Sequence, residues 1–304
     1  MLPSFKILID CPFRSICRLD KAEHINKEWL LSIINDFEDG KWWQSRFERF
    51  IFDNIKETAL SKKEIEILGG QEYSVLSKAI SNLRITDKDD SGGEIAEILL
   101  YGIMRHHYGA LPVVPKIFYK QNVNDYAKGA DSVHVVIGPD GDYSLWLGEA
   151  KFYSSIEDVR LNAIISSVSE TLRTDKIRKE NSIITNLHQL DELGLDKGLV
   201  TKIYEGLDEN RSLDYLKPRL HIPILLLHEC NITKAETNLT EDYISKIQEY
   251  HKERANSFVK KKLESEIIKV NLYDEISFHL ILFPVPDKEI IVESFINKCN
   301  AFDR

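Results

Sequence analysis

The chain has only four cysteines in 304 residues, Cys11, Cys17, Cys230 and Cys299, and none of them stands in C-x-x-C spacing. Scattered in this way they exclude a zinc cluster and a disulfide framework, and a reducing cytoplasm is the expected setting. Long apolar runs are missing as well. The longest, residues 222–227 and 280–285, fall far short of the roughly 20 residues that a membrane span needs, so no membrane partner is expected. The opening MLPSFKILIDCPF has no basic segment followed by an apolar stretch and a small-residue cleavage site, which leaves secretion without support. No G-x-x-x-x-G-K-[ST] segment occurs, so the chain carries no visible P-loop motor and no signature of a small-molecule cofactor. Positive charge is scarce: 40 Lys and Arg against 49 Asp and Glu give a net charge of -9. Because phosphate binding depends on Lys and Arg displacing counterions, any nucleic-acid surface has to be local. Two basic clusters qualify, Arg173, Lys176, Arg178 and Lys179, and Lys260, Lys261 and Lys262 beside Lys252 and Arg254. The alternative for each is a solvated helix face.

With 43% apolar and 29% charged residues the chain is expected to fold throughout. Its length allows one large α/β domain, or a core of about 200 residues with a smaller lobe. Residues 1–90 read as an N-terminal, mainly helical lobe. An apolar run at residues 5–9 predicts an edge strand, and NKEWLLSIINDF, WWQSRFERFIFDNIKETAL and SVLSKAISNL space apolar residues by three and four, as helices do. The run TDKDDSGG has the composition of a loop ending in a helix cap and marks the boundary. From residue 91 to 304 the order becomes α/β: a helix from Glu94 stopped by Gly109, a strand at VPKIFYKQ, two strands joined at Pro-Asp-Gly, a long helix from about residue 155, apolar strands at HIPILLLHE and EISFHLILFPV, and a final helix. This order predicts a mixed sheet flanked by helices.

Chemistry concentrates at one place in that order. Composition alone predicts about six acid-x-base triplets, so a match is not in itself informative. With Lys as the base there are two, Asp39-Gly40-Lys41 and Glu149-Ala150-Lys151, and only the second falls in a predicted strand. Residues two apart in a strand share a face, which points Glu149 and Lys151 the same way. On the preceding strand Asp131 shares a face with Val133, Val135 and Ile137. If Pro139, Asp140 and Gly141 form a three-residue loop, Ile137 opposes Tyr143 and Asp131 opposes Glu149, with opposed Cβ atoms about 5 Å apart. A two-residue loop would set Ala150 opposite Asp131 instead. Two adjacent carboxylates repel unless a cation lies between them. Mg²⁺ or Mn²⁺ suits the pair, because such hard ions accept one or two carboxylates, keep several waters and bind phosphate oxygens. The main-chain carbonyl of Ala150 is a further candidate ligand, and Lys151 is placed to orient or deprotonate an attacking water or to stabilise a phosphorane-like transition state. The bland alternative is a cross-strand salt-bridge cluster.

The Asp131 strand, the turn, the strand ending in GEAK and a preceding helix carrying Glu94 and Glu97 resemble the PD-(D/E)xK, restriction-endonuclease-like nuclease core. More narrowly GADSVHV, WLGEAKFY and HIPILLLHE resemble the HamA family, the nuclease subunit of the Hachiman anti-phage defence system, over roughly residues 90–300. One departure is Ala130, where the motif has Pro before the aspartate. The resemblance implies a metal-dependent endodeoxyribonuclease acting on DNA with a partner helicase, HamB. It implies that Asp131 and Glu149 bind metal, that Lys151 is catalytic, and that Glu94 or Glu97 assists. Those two glutamates lie near each other on one side of the helix, and their alternative role is to stabilise the helix N-terminus through its dipole. The rival class is a non-catalytic adaptor with the nuclease fold that binds DNA or a partner protein; an inactive copy has no chemical reason to keep Asp131, Glu149 and Lys151 together.

His106 and His107 sit where a helix C-terminus favours a cation. His221 and His228 flank an apolar strand and read as core histidines, and Trp42 and Trp43 read as packing residues of the first lobe.

Overall fold

A computed structural model describes residues 5–17, 25, 27–85, 88–117, 129–187 and 189–302. The strands are β1 (Lys6–Pro12), β2 (Glu28–Ile34), β3 (Phe37–Glu38), β4 (Lys41–Trp42), β5 (Leu111–Val114), β6 (Ser132–Ile137), β7 (Tyr143–Tyr153), β8 (Leu220–Glu229) and β9 (Ser277–Val285). The α-helices are α1 (Gln44–Ala59), α2 (Lys62–Ile67), α3 (Glu72–Ser81), α4 (Lys88–Tyr108), α5 (Asp158–Thr171), α6 (Thr174–Leu187), α7 (Lys197–Leu207), α8 (Asn231–Ala235), α9 (Glu241–Leu263) and α10 (Lys288–Phe302).

Seven strands form one mixed sheet in the order β1-β2-β9-β8-β7-β6-β5, while β3 and β4 make a small separate hairpin. The four inner strands β2, β9, β8 and β7 are mutually parallel, and the outer pairings β1–β2, β7–β6 and β6–β5 are antiparallel. Helices cover both faces, as buried parallel strands require. One core packs Leu145, Leu147, Ile224 and Leu226 against α5, α6, α7 and α9. The other packs Trp146, Phe152, Leu225 and Leu227 against α1, α3, α4 and α10. The α/β architecture with a mixed, helix-flanked sheet is therefore the observed fold.

The largest departure from the sequence reading lies in NKEWLLSIINDF. The segment is expected to be helical, yet Glu28–Ile34 forms β2, paired in parallel with β9 in the middle of the sheet. Six of its seven residues are buried. A strand covered on both faces has no alternation to reveal it, so its apolar spacing matches a helix by accident. Two further corrections concern the approach to the site. Lys88–Gly93, read as loop, is the start of α4, where Gly92 faces Lys288 and Val292 of α10. Of the described residues in the strand assigned to VPKIFYKQ, only Val114 lies in a strand, β5 at Leu111–Val114; Lys116 and Ile117 are helical, and residues 118–121 lie outside the described residues.

Several histidines are buried as neutral side chains. Burial pushes His134 down to about 3 and His228 down to about 4, and burial with the charge of Lys27 pushes His221 down to about 4. Their folded values lie below the unfolded one, so between those values the unfolded chain binds more protons. Their contribution is complete above pH ~6.5 and shrinks as pH falls, by about 1.4 kcal/mol per pH unit for each group. Urea unfolding should therefore show stability constant from pH ~8 to ~7 and clearly lower at pH ~5.5. Equal stability at both ends of that range would mean that these rings take up protons in the folded protein as readily as in the unfolded chain.

Candidate active site

The β6–β7 hairpin closes through the three-residue loop. The Gly138 N–H donates to the Asp142 carbonyl at 2.8 Å, and Gly141, at φ +75°, takes the left-handed conformation that such a loop demands. Ile137 pairs with Tyr143 and Ser132 with Gly148. The register that depended on loop length is thus the one that carries Asp131 to the Glu149 end of the hairpin. Asp39-Gly40-Lys41, the other match, lies at the β3–β4 turn, with Asp39 and Gly40 both at positive φ.

Beyond Ser132 the backbone changes partners. The Asp131 N–H still reaches the Gly148 carbonyl at 2.8 Å, but the Ala150 N–H donates to Asp131 Oδ2 at 3.0 Å. Lys151 Nζ donates to the same oxygen at 3.1 Å and to Glu149 Oε2 at 3.5 Å. One ammonium thus lies between two carboxylates. In a strand the carbonyl and N–H of one residue point to the same neighbour, so the Ala150 carbonyl lies on the Asp131 side.

Glu149 is buried, and two hydroxyls from α5 hold it. Thr171 Oγ1 donates to Oε1 at 2.6 Å and Ser167 Oγ to Oε2 at 3.0 Å. Burial first, then the charge of Asp131, push its carboxyl above the ordinary range, while Lys151 and the two hydroxyls oppose that rise. Burial alone would lower Lys151; the charges of Asp131 and Glu149, the hydrogen bond to Asp131 and the charge of Glu97 outweigh it and hold the lysine above its ordinary value. Lys151 is therefore an ammonium at neutral pH in this arrangement.

The two helical glutamates separate. Both are buried on α4, whose start at Lys88 puts them beyond its first turn and removes the N-terminal dipole as their explanation. Glu97 lines a small cavity of about 10 Å³ together with Asp131, Ser132 and His134, and its charge is felt at Lys151. Glu94 lines neither this cavity nor the cleft in front of the triad. The cleft, of about 330 Å³, has Asp131, Glu149, Lys151 and Gly129 in its wall, with Ser167, Glu170, Thr171 and Lys176 arriving from α5 and α6. Among the described residues no group of three or more His, Cys, Asp or Glu side chains is placed to hold a metal ion.

Sequence reasoning missed four residues of this neighbourhood. Ser167 and Thr171, four apart on one helix face, are visible as a pair only once α5 is known to cross Glu149. Glu180 and Lys116 form a buried ion pair behind the site, with distances of 2.8 and 2.6 Å, and Glu180 Oε1 accepts from the Ala130 N–H at 3.1 Å. Three members of the second basic cluster are engaged internally: Lys262 is buried against Glu28, Arg254 meets Glu157, Asp158 and Glu253, and Lys261 meets Asp158. His228 packs in the core against His251 at 3.2 Å, and His221 contacts His279 at 2.9 Å.

A family model, HamA, matches residues 12–299. The chain belongs to the HamA family. Membership makes it a component of the Hachiman anti-phage defence system, which works with partner components. A search of curated proteins finds no match. No helix among the described residues of this HamA protein is long and apolar enough to cross a membrane.

The hydroxyl pair offers a direct check on the site. Thr171→Val keeps the shape but leaves a buried carboxylate short of one donor, which should destabilise the HamA chain by about 1.5–3 kcal/mol in urea unfolding at neutral pH. Thr171→Ser should restore most of the loss. A valine variant as stable as the parent would show that this hydrogen bond does not hold Glu149.

Proposed function

We propose that the chain is a metal-dependent DNA nuclease of the PD-(D/E)xK type and the effector of its defence system, acting with a partner helicase. The observation that carries this reading is the convergence of Asp131 and Glu149 on Lys151 in the wall of an open cleft. A structural salt bridge needs neither a second carboxylate nor a cleft, whereas phosphodiester hydrolysis uses both.

The donor set suits Mg²⁺ or Mn²⁺. Two carboxylates and the Ala150 carbonyl are hard oxygen ligands, and such ions fill the rest of their shell with water and phosphate oxygens rather than with a closed protein cage. A strained electrostatic state favours the same conclusion, since burial and Asp131 both oppose ionisation of Glu149 and are countered by the charge of one lysine and two neutral hydroxyl donors. Held by Asp131, Glu149 and the Ala150 carbonyl, the ion would neutralise the phosphate and lower the pKa of a bound water. The protein's own groups do the positioning. Thr171 and Ser167 fix the two oxygens of Glu149, and the Ala150 N–H fixes one oxygen of Asp131. Lys151, as an ammonium, orients the attacking water and stabilises negative charge on the phosphorane-like transition state. Glu97, through the charge it exerts on Lys151, is the assisting helical acid in preference to Glu94.

ATP-driven movement along DNA has to come from elsewhere, because no P-loop is present in the sequence. A helicase, HamB, fills that role in this reading. Purified protein with its helicase should degrade plasmid DNA in Mg²⁺, and Glu149→Ala combined with Lys151→Ala should abolish the cleavage, with an RNA of equal length left intact. Equal degradation by the double variant would falsify the site assignment; intact DNA with the parent protein would point to a non-catalytic adaptor.

A further inference from the structure

The cleft holds a second ammonium that the proposed reaction has not used. Lys176, in the first turn of α6, lines it together with the triad; its backbone N–H donates to the Arg173 carbonyl at 3.0 Å, while among the described residues its ammonium makes no hydrogen bond and has no carboxylate within ion-pairing distance. The two arginines of the same basic run are committed. Arg173 pairs with Glu170 and Asp175, and Arg178 donates to the carbonyls of Glu209 at 2.6 Å and Arg211 at 3.4 Å. Glu170, the third acid of the cleft, is thereby engaged by Arg173.

The placement of Lys176 is fixed from below. Glu180 lies four residues further along α6, on the same helix face and about 6 Å down the axis. Its carboxylate is buried, receives Lys116 and accepts from the Ala130 N–H, so α6 is fastened to the segment that leads into Asp131. The fit is tight: a Cβ on Gly129 would stand 1.9 Å from Glu180 Oε1. The anchor sets Lys176 at a defined position relative to Asp131 rather than leaving it on an independent surface.

We propose that Lys176 is a substrate-binding residue that holds a backbone phosphate of DNA next to the bond cut at Asp131, Glu149 and Lys151. The inference rests on the nuclease reading and adds to it the contact that positions the strand. An ammonium on a flexible stem binds phosphate as a point charge, without sequence preference. In a chain of net charge -9 there is little general attraction for a polyanion, so a cation inside the cleft governs where the backbone settles.

Fluorescence anisotropy of the full chain on a labelled DNA oligonucleotide, single-stranded and duplex, in Ca²⁺ across a salt series tests this. Lys176→Gln should weaken binding about tenfold and reduce the slope of log K against log salt by about 1 on duplex. Lys176→Arg should bind nearly as the parent does, Lys269→Gln, which does not line the cleft, should bind unchanged, and all variants should keep the parent melting temperature and Mn²⁺ affinity. A glutamine variant with parental affinity and slope overturns the inference while leaving the nuclease reading intact if plasmid is still cut. Parent protein that binds neither DNA, or binds only an RNA of the same sequence, overturns the inference through its substrate, and absence of plasmid cleavage then shows that the nuclease reading has failed with it.

Discussion

Two carboxylates that must share a few ångströms of low-dielectric space repel each other, and the arrangement around Asp131 and Glu149 follows from that repulsion. A single ammonium, Lys151, offsets it from the same strand face, at 3.1 Å from one acid and 3.5 Å from the other. Burial still drives Glu149 above its ordinary range. A divalent cation relieves such a site more fully than one lysine does. The proposed affinity for a hard ion would thus follow from how the hairpin ends, and the rest of the fold keeps that end in place.

Each supporting element does so by a different means. The helix α5 supplies hydroxyl donors to Glu149, and α6 supplies a buried carboxylate to the backbone before Asp131. On the other face a Cβ on Gly148 would meet Leu100 Cδ2 of α4 at 2.8 Å and, across the hairpin, Ser132 Oγ of β6 at 2.2 Å. Because protein interiors are close-packed, small shifts in these helices are transmitted to the acids directly. The same helix brings Glu97 to the back of Asp131, so the sheet and both helical layers contribute to one site.

How much of this is legible in the sequence depends on the range over which each feature is determined. The β6–β7 register was legible because a local signal, Pro139-Asp140-Gly141, sets the loop length, and the loop length sets which residues oppose. The inner strand β8 announced itself as an apolar run between turn signals. The strand β2 did not, since burial on both faces erases the alternation that distinguishes a strand from a helix. Lys88–Gly93 misled because paired glycines usually mark a turn, whereas here both lie within α4, with Gly92 facing α10. Ser167, Thr171, Lys116 and Glu180 carry no local signature, because their significance comes from crossings of segments far apart in the chain. Sequence also could not choose between Glu94 and Glu97: three residues apart on one helix they look alike, and only the packing of α4 against β6 separates them.

HamA membership gives the biological setting, and the geometry gives the chemistry proposed for it. The proposed metal site is the hinge between the two. A crystal structure of the protein soaked in Mn²⁺, with anomalous diffraction recorded at the manganese edge, measures it directly. The account predicts one peak between the carboxylates of Asp131 and Glu149, beside the Ala150 carbonyl, with Lys151 Nζ displaced from its bridging position. Both carboxylates still clasping Lys151, with no anomalous density between them, would contradict it.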